Sequence, residues 1–517
     1  MWVKAILLFF VFSFLFRTDL SFDQDLGRHI KLGEIIWQTK QIPKVNLFSY
    51  TNPDFPFINT HWLFEVIAYF FAATGTLQLF LILKIIIFLI SVWLIMKGTF
   101  FPAEIKNVKS SLLLPVGFIF FHVLRERLEL RPEIFSFLFT ALTYYILERK
   151  KPLFLLPVIA LIWINTHIYF FVGFLLQAIY LRKKLHAIIL GLSILVSLIN
   201  PNGLSGLLYP LNVTKNYGYT IVENQTMNLL ESINFRDPNF LFVKLSIGLV
   251  ALSIAVALIR KNFNIKNILL ALSGVGLALM NVRSFPYLVF LSFPATLSNF
   301  GNIKLKFLIP IFALLLTLES FFYLNGDYYK YTGSQHQRGL RFVQSGRGAL
   351  DFVLANDLPG PIYNNFDIGS YIIYRAYPKY QVFVDGRPEA YSAAFFTNVY
   401  IPTQSDYSKF KELENKWGFK TIIFSHTDQT PWGKAFLQSI VKDQEWRIVY
   451  IDDFMIVLTK EEGLPQINLG ALSPNQFKFE DPLSYLQLGI FLYQTGNIDA
   501  ASQFISISNP PSQKFFW

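Results

Sequence analysis

Residues 17–33 read Arg17-Thr-Asp19-Leu-Ser21-Phe-Asp23-Gln-Asp25-Leu-Gly-Arg28-His29-Ile-Lys31-Leu-Gly33, directly behind an unbroken apolar run at 3–16. Asp23 and Asp25 are therefore placed just past the end of the first apolar segment, and His29 follows Asp25 by one helical turn, on the same helix face. No small-residue cleavage site follows the run. Arg17, Asp19 and Phe22 come next, so the run reads as a retained membrane helix rather than a removed signal.

Outward from this stretch, further apolar runs lie at 77–96, 110–124, 134–147, 153–164, 168–181, 186–199, 240–259, 267–280, 285–297 and 305–324, about eleven spans in all. Of the 517 residues 53% are hydrophobic and 15% charged, whereas a soluble domain carries about 25% charged residues. Several runs fall short of the roughly 20 residues that cross a hydrocarbon core, so the charges at their ends approach membrane depth. The net charge of +11 points to topology rather than to nucleic acid. Lys4, Lys97, Lys106, Lys109, Arg149, Lys151, Arg182, Lys184, Arg260, Lys266, Lys304 and Lys306 fall in every second gap. Those gaps are cytoplasmic by the positive-inside rule. The N-terminus is then cytoplasmic, and the chain after residue 325 is extracytoplasmic. With no cysteine, the chain has neither disulfides nor thiolate metal sites.

The predicted organisation is a membrane all-α multi-pass bundle over 1–325, with a first outer loop at 17–76 and a second at 200–239. A small extracytoplasmic α/β domain follows at 335–462, and a helix pair at 480–510. In the first loop, Leu26, Ile30, Gly33 and Trp37 mark an interfacial helix that Pro43 ends, and a second helix begins near Asn59 or Thr60. Strands are predicted at 361–364, 381–384, 421–424, 447–451 and 455–458. Tyr485, Leu488, Gly489, Leu492, Gly496, Ala501 and Pro510 have the spacing of one tetratricopeptide helix pair. A lone pair must pack on the α/β domain unless further repeats have been lost.

Asp23 and Asp25 suit a general base or a metal-binding carboxylate, and equally a helix cap. His61 and Glu65 repeat the i, i+4 pairing of acid and imidazole. Arg125-Glu-Arg127-Leu-Glu129-Leu-Arg131-Pro-Glu133 offers three guanidiniums to a phosphate, unless Glu126, Glu129 and Glu133 neutralise them. Arg283 has no acid nearby in sequence and is the cleaner anion site. Asn165-Thr-His167 tips a short hairpin and faces the same outer cavity. Asp385-Gly-Arg387 reads as a strand-ending turn rather than a ligand site. Walker, G-x-G-x-x-G, G-x-S-x-G and zinc motifs are absent.

Asp23 to Gly33, Ile42-Pro43, Phe48 to Thr51, Trp62-Leu63 with Glu65, Arg131-Pro132, Trp163 with Asn165 and His167, Asn200 to Gly203, Asn365 to Gly369 and Val384 to Arg387 resemble the pattern of bacterial multi-pass glycosyltransferases of the GT-C fold. The resemblance covers most of the chain. It implies a polyprenyl-phosphate-linked sugar donor and a first-loop acid as base, with Asp23 and Asp25 both fitting and Asp19 a weaker third. A second acidic motif in a later outer loop is missing, Glu223 and Glu231 being the only acids before Asp237. The cofactor question is thus confined to a divalent metal, Mg2+ or Mn2+.

The expected protein is an inner-membrane glycosyltransferase with Asp23 or Asp25 catalytic, supported by His29, His61, Glu65, Asn165 and His167. Arg283, Arg125, Arg127 and Arg131 would hold the donor phosphate. The acceptor is a glycan, lipid or protein, a partner protein docks through the C-terminal helix pair, and no nucleic acid is bound. The alternatives are a glycan ligase or polymerase, or a non-catalytic scaffold or transporter of envelope glycan assembly.

Overall fold

The first apolar run forms α1 (Trp2–Leu15), and its residues Leu7, Phe10, Val11 and Phe14 are closed to solvent. Around it pack α4 (Leu77–Thr99), the helix Ser110–His122 and the helix Leu308–Leu324. The computed structural model describes residues 2–99, 110–149, 151–212, 217–235, 237–261, 264–301, 303, 305–479 and 481–508. The side chains of Asp23, Ser110, Glu126 and Asn212 lie outside the description.

The bundle wears its apolar side outward. Ile86, Ile90, Leu192, Leu245, Leu269 and Leu314 are exposed, while Ser91, Thr140, Ser193, Ser253 and Ser320 are buried between helices. Large apolar side chains left open along so many helices, with small polar ones turned inward, are the pattern suited to a hydrocarbon solvent. Among the described residues two helices are long and apolar enough to cross a membrane, α4 and Pro238–Ile259. Of the about eleven spans expected, these two meet that length by themselves. Most other apolar runs fold into helices of 10–17 residues, and the run at 285–297 is divided by a π-helical turn at Leu288–Ser292.

Polar groups collect at two ends. At one, Lys97 lies over the Trp93 and Tyr145 rings, and Glu148 accepts from Lys266 and Tyr180, each at 2.6 Å. At the other, Arg17 meets Glu129 at 2.7 Å, and Arg127, Arg131 and Arg283 gather.

The first outer loop folds over that second end. A π-helical turn, Phe22–Leu26, runs straight into α2 (Gly27–Thr39), and α3 (Trp62–Ala73) returns beside it. The two helices cross at Gly33, where a Cβ would stand 2.0 Å from the Glu65 carbonyl oxygen. The helix α2 was expected to lie in the membrane interface. It is instead covered by α3 and by the helix Gly369–Ala376 of the soluble domain, with Arg28 and His29 buried.

Four strands build the soluble domain's sheet: β1 (Ile362–Asn364), β2 (Thr421–Ser425), β3 (Arg447–Ile451) and β4 (Met455–Thr459), in the order β1-β2-β4-β3. The β1–β2 pair is parallel and the other two pairs are antiparallel. β1, β2 and β4 are buried along their whole length, as the apolar runs Ile422 to Phe424 and Met455 to Leu458 of β2 and β4 require. A fifth strand, expected at 381–384, does not form. The Asn364 side chain accepts from Phe383 N (2.9 Å) and donates to the Val384 carbonyl (2.8 Å), taking the place of a ladder. Val382 pairs instead with Ser49 of the first loop, and its N–H donates to the Phe48 carbonyl at 2.9 Å. At the C-terminal end, helices Pro482–Gln494 and Ile498–Ser508 pack on each other and share one buried cluster with the α/β domain through Leu488, Phe491, Leu492 and Phe504.

Candidate functional site

The π turn makes Asp23, Gln24 and Asp25 part of one widened helical turn, closed by the Gly27 N–H to the Phe22 carbonyl. Such turns re-aim side chains and recur at functional sites. The side chain of Asp23 is outside the described residues. Asp25 is a quarter exposed; its Oδ1 lies 3.3 Å from Arg28 Nη2 and its Oδ2 3.4 Å from Arg131 Nη2. Gln24 Oε1 accepts from Arg131 at 2.6 Å.

The two acid and imidazole pairs expected along single helices are not made. His29 turns away from Asp25 and meets Glu65 across the α2–α3 crossing, Nδ1 to Oε1 at 3.2 Å. Glu65 also accepts from Asn59 Nδ2 at 2.6 Å, and burial pushes its carboxyl up to about 7. His61 is bonded to neither acid: its ring lies 5.7 Å from that of His29 and 5.5 Å from that of His167. Part of it reaches solvent, yet the dense surroundings and the charges of Arg28 and Arg283 hold it neutral down to about 3.

Asn165 and His167 are buried, and their polar groups connect neighbouring segments. Asn165 Oδ1 accepts from Trp62 Nε1 at 2.7 Å, and its amide donates to the Leu161 and Ile199 carbonyls. His167 Nδ1 and Trp163 Nε1 converge on Ser136 Oγ at 2.7 and 2.6 Å.

The arginines converge on Glu223. It lies in the short turn Val222–Asn224 of the second outer loop. Arg131 Nη1 reaches its two oxygens at 2.8 and 3.0 Å, Arg127 Nη1 one of them at 2.6 Å, and Arg283 Nη2 the other at 3.0 Å. Glu133 takes a bidentate pair from Arg127 (2.7 and 2.6 Å) and stands 3.4 Å from Arg283 Nε. Arg283 is therefore not without acids; its partners are 60 and 150 positions away in the chain. Of the neighbours expected to neutralise the arginine run, Glu133 does so for Arg127, while Glu129 pairs with Arg17. Glu126 lies outside the described side chains. Arg125 stands apart, donating to the hydroxyls of Tyr323 and Tyr328. The other two acids of the second loop are spent locally, Glu231 on Lys244 and Asp237 as the cap of Pro238–Ile259.

A cavity of about 780 Å3 opens beside this cluster, lined by Arg125, Arg127, Arg131 and Glu223 on one side and by Phe14, Tyr323, Tyr328 and Tyr329 on the other. The soluble domain packs on the π turn that carries Asp25 through its turn Phe366–Ile368 and the helix Gly369–Ala376. There Asp367 is exposed to solvent, and the surrounding chain together with the negative charges of Asp428 and Asp25 raises its carboxyl above the usual range. Gly386 belongs to the turn locked by Asp385 and Arg387, a buried pair with both bonds at 2.7 Å. That turn is structural.

A divalent cation does not suit the described donors. Asp25 and Glu223 are already bonded to guanidiniums, which would repel a second cation, and among the described residues no three His, Asp or Glu side chains meet in a metal-holding group.

Sequence reasoning singled out the arginines and Asp25 but missed that Glu223 joins them, and it missed Gln24 and Asp367 altogether. Glu223 carried one signal: it is the acid of the second loop that neither caps a helix nor precedes a basic residue of the same segment by a few turns.

An apolar-sheathed helical bundle with its charged site at one end, roofed by a first-loop helix pair and a soluble domain, is an architecture already present among solved structures. Among solved structures, the archaeal oligosaccharyltransferase AglB from Archaeoglobus fulgidus, in complex with an inhibitory peptide and a dolichol-phosphate, is similar. The likeness covers 90% of this chain and 75% of that one, with a TM-score of 0.57 and 11% identity. No protein-family model and no curated protein matches the chain.

Proposed function

We propose that the chain is an inner-membrane glycosyltransferase that moves a sugar from a polyprenyl-phosphate donor to an extracytoplasmic glycan, lipid or protein acceptor. The observation that carries this reading is the placement of Asp25 against Arg131, which lines the 780 Å3 cavity together with Arg127 and shares Glu223 with Arg127 and Arg283. A base and an anion-binding cluster are thus adjacent at one end of a lipid-facing bundle. The similarity to a fold found in a complex with dolichol-phosphate supports a lipid-linked donor.

In this mechanism Asp25 accepts the proton of the acceptor hydroxyl as its oxygen attacks the anomeric carbon. The bond from that carbon to the phosphate oxygen breaks, its electron pair stays on the phosphate, and the arginines stabilise the charge that develops there. Direct attack inverts the anomeric configuration. Asp23, on the same π turn, is the alternative base. The sorting of Lys97, Lys266 and Arg149 to one end and of the site to the other supports a cytoplasmic N-terminus and an extracytoplasmic soluble domain. The boundaries 1–325, 335–462 and 480–510 belong to the same reading, as does a partner protein docked on the C-terminal helix pair.

The test is the extracytoplasmic glycan of cells carrying Asp25→Asn, Asp23→Asn or both, beside a deletion and at matched protein level. Loss of a general base lowers transfer by about a hundredfold or more, so one of the single variants should reproduce the deletion's missing sugar. An intact glycan in the double variant overturns the enzyme reading and leaves a scaffold.

A further inference from the structure

Glu223 makes four contacts of 2.6–3.0 Å with three arginines brought in from separate parts of the chain. Two features are unusual for a mere counter-ion. Its side chain remains 29% exposed and lines the cavity. The Arg131 Nε–H beside it is buried and unpartnered, so the cluster has donor capacity that the carboxylate does not use.

A carboxylate offers two oxygens and one negative charge, and so does a phosphodiester, through its two non-bridging oxygens. We propose that Glu223 is a built-in stand-in for the donor phosphate: it fills the anion site formed by Arg127, Arg131 and Arg283 until a singly charged phosphate ester displaces it. This rests on the glycosyltransferase reading and identifies where within that site the phosphate binds. The exchange keeps the charge balance. Three guanidiniums share three acids, Glu133, Asp25 and Glu223, and a monoanionic ester in place of the Glu223 carboxylate leaves the balance at the guanidiniums unchanged while the displaced carboxylate is hydrated in the cavity.

The displacement needs only the side chain to swing toward the cavity, because the backbone on both sides is pinned. Tyr219 stacks on Phe366 of the soluble domain with ring centroids 4.3 Å apart, and the Gln225 carbonyl accepts from Val282 N at 3.0 Å, next to Arg283. The role of Arg125 is then separate. It borders the cavity away from the convergence point, held by tyrosine hydroxyls and stacked over Phe242.

The full chain in nanodiscs is titrated at about pH 5, where a phosphate monoester carries a single charge, with farnesyl phosphate and, separately, with inorganic phosphate, following thermal stability alongside. Glu223→Gln should bind farnesyl phosphate about tenfold more tightly than the wild type, since a competing anion is removed, and adding Arg131→Gln should abolish the gain. Glu223→Asp, which keeps the charge but withdraws it by one methylene, should fall between. Equal tightening for inorganic phosphate assigns the site to free phosphate and overturns the lipid-ester proposal. Unchanged or weaker binding of farnesyl phosphate in folded Glu223→Gln overturns the stand-in. So does failure of both Glu223 variants to fold, because a fold that cannot release Glu223 cannot exchange it for a ligand. Transfer that depends on Asp25 without any tightening sinks this inference alone, whereas tightening without transfer sinks the enzyme reading and leaves the anion site standing.

Discussion

Lys84 Nζ and Asp19 Oδ2 lie 2.7 Å apart, and both side chains are closed to solvent. The same Asp19 oxygen accepts from Leu130 N at 2.8 Å, while its Oδ1 accepts from Ser21 N at 3.0 Å. Asp19, the weakest of the three first-loop acids as a base, is thus saturated by bonds that tie α4, the first loop and the arginine-bearing segment together.

Removing one partner of a buried pair leaves an uncompensated charge, at a cost of about 3–5 kcal/mol. Lys84→Met should therefore lower the thermal stability of the purified protein and its yield from membranes. Asp19→Asn together with Lys84→Met should recover part of the loss, since no bare charge remains. Equal stability of the single and double variants would count against a buried ion pair.

Glu65 gives the protein a pH signature. Burial raises its carboxyl from the ordinary 4.5 to about 7, in the company of Asn59, His29, His61, Arg28 and Arg387. Between those values the folded protein holds the proton more firmly than the unfolded chain, so stability is greatest below pH 4.5 and declines as pH rises through 7. Glu65→Gln should remove the Glu65 share of this decline, about 3 kcal/mol at pH 8, leaving that of Asp367. Denaturation at pH 5 and pH 8 in both proteins checks it, and a slope unchanged in the variant would assign the whole decline to other groups.

Gly33 sets the distance between α2 and α3. A methyl group there would meet Glu65 backbone 2.0 Å away, along with Tyr69 Cβ at 2.8 Å, and backbone cannot yield as a side-chain tip does. Gly33→Ala should cost about 1–3 kcal/mol and weaken the His29–Glu65 contact. A Gly33→Ala protein with the stability of wild type and the same slope between pH 5 and pH 8 would show that the crossing tolerates a wider gap.

Arg387 should not tolerate lysine. Its fork bonds both oxygens of Asp385 and the Asn46 side chain at 2.7–2.8 Å, between the Phe48 and Phe57 rings. A lysine keeps the charge and loses the parallel bonds. Arg387→Lys should cost about 1–3 kcal/mol and make residues 40–60 sensitive to protease; resistance equal to wild type would refute the clasp.

Much of the fold was legible because apolar run length and strand alternation are local properties. The first-loop helices, the strands β1 to β4 and the C-terminal helix pair fall within a few residues of the predicted spans. The strand expected at 381–384 failed because a side chain, Asn364, satisfies that backbone, a substitution no periodicity reveals. In the site, Asp25 and the arginines were visible by type and position, but their partners were not. Arg131 and Glu223 are 92 residues apart and Arg283 and Glu223 are 60 apart, and such pairings arise only when separate helices end at the same level. The expected Asp25–His29 face was lost to the π turn, which displaces the helical phase by part of a turn.

The bridge between Ser49 and Val382, with the Tyr50 hydroxyl donating to the Ile362 carbonyl at 2.6 Å, bears on how such a protein can be recombined. The soluble portion is not a cassette. A chimera that exchanges it for a relative's must carry residues 46–57 along with it, although more than 300 positions separate the two in the gene, or the graft will lack one of its own seams.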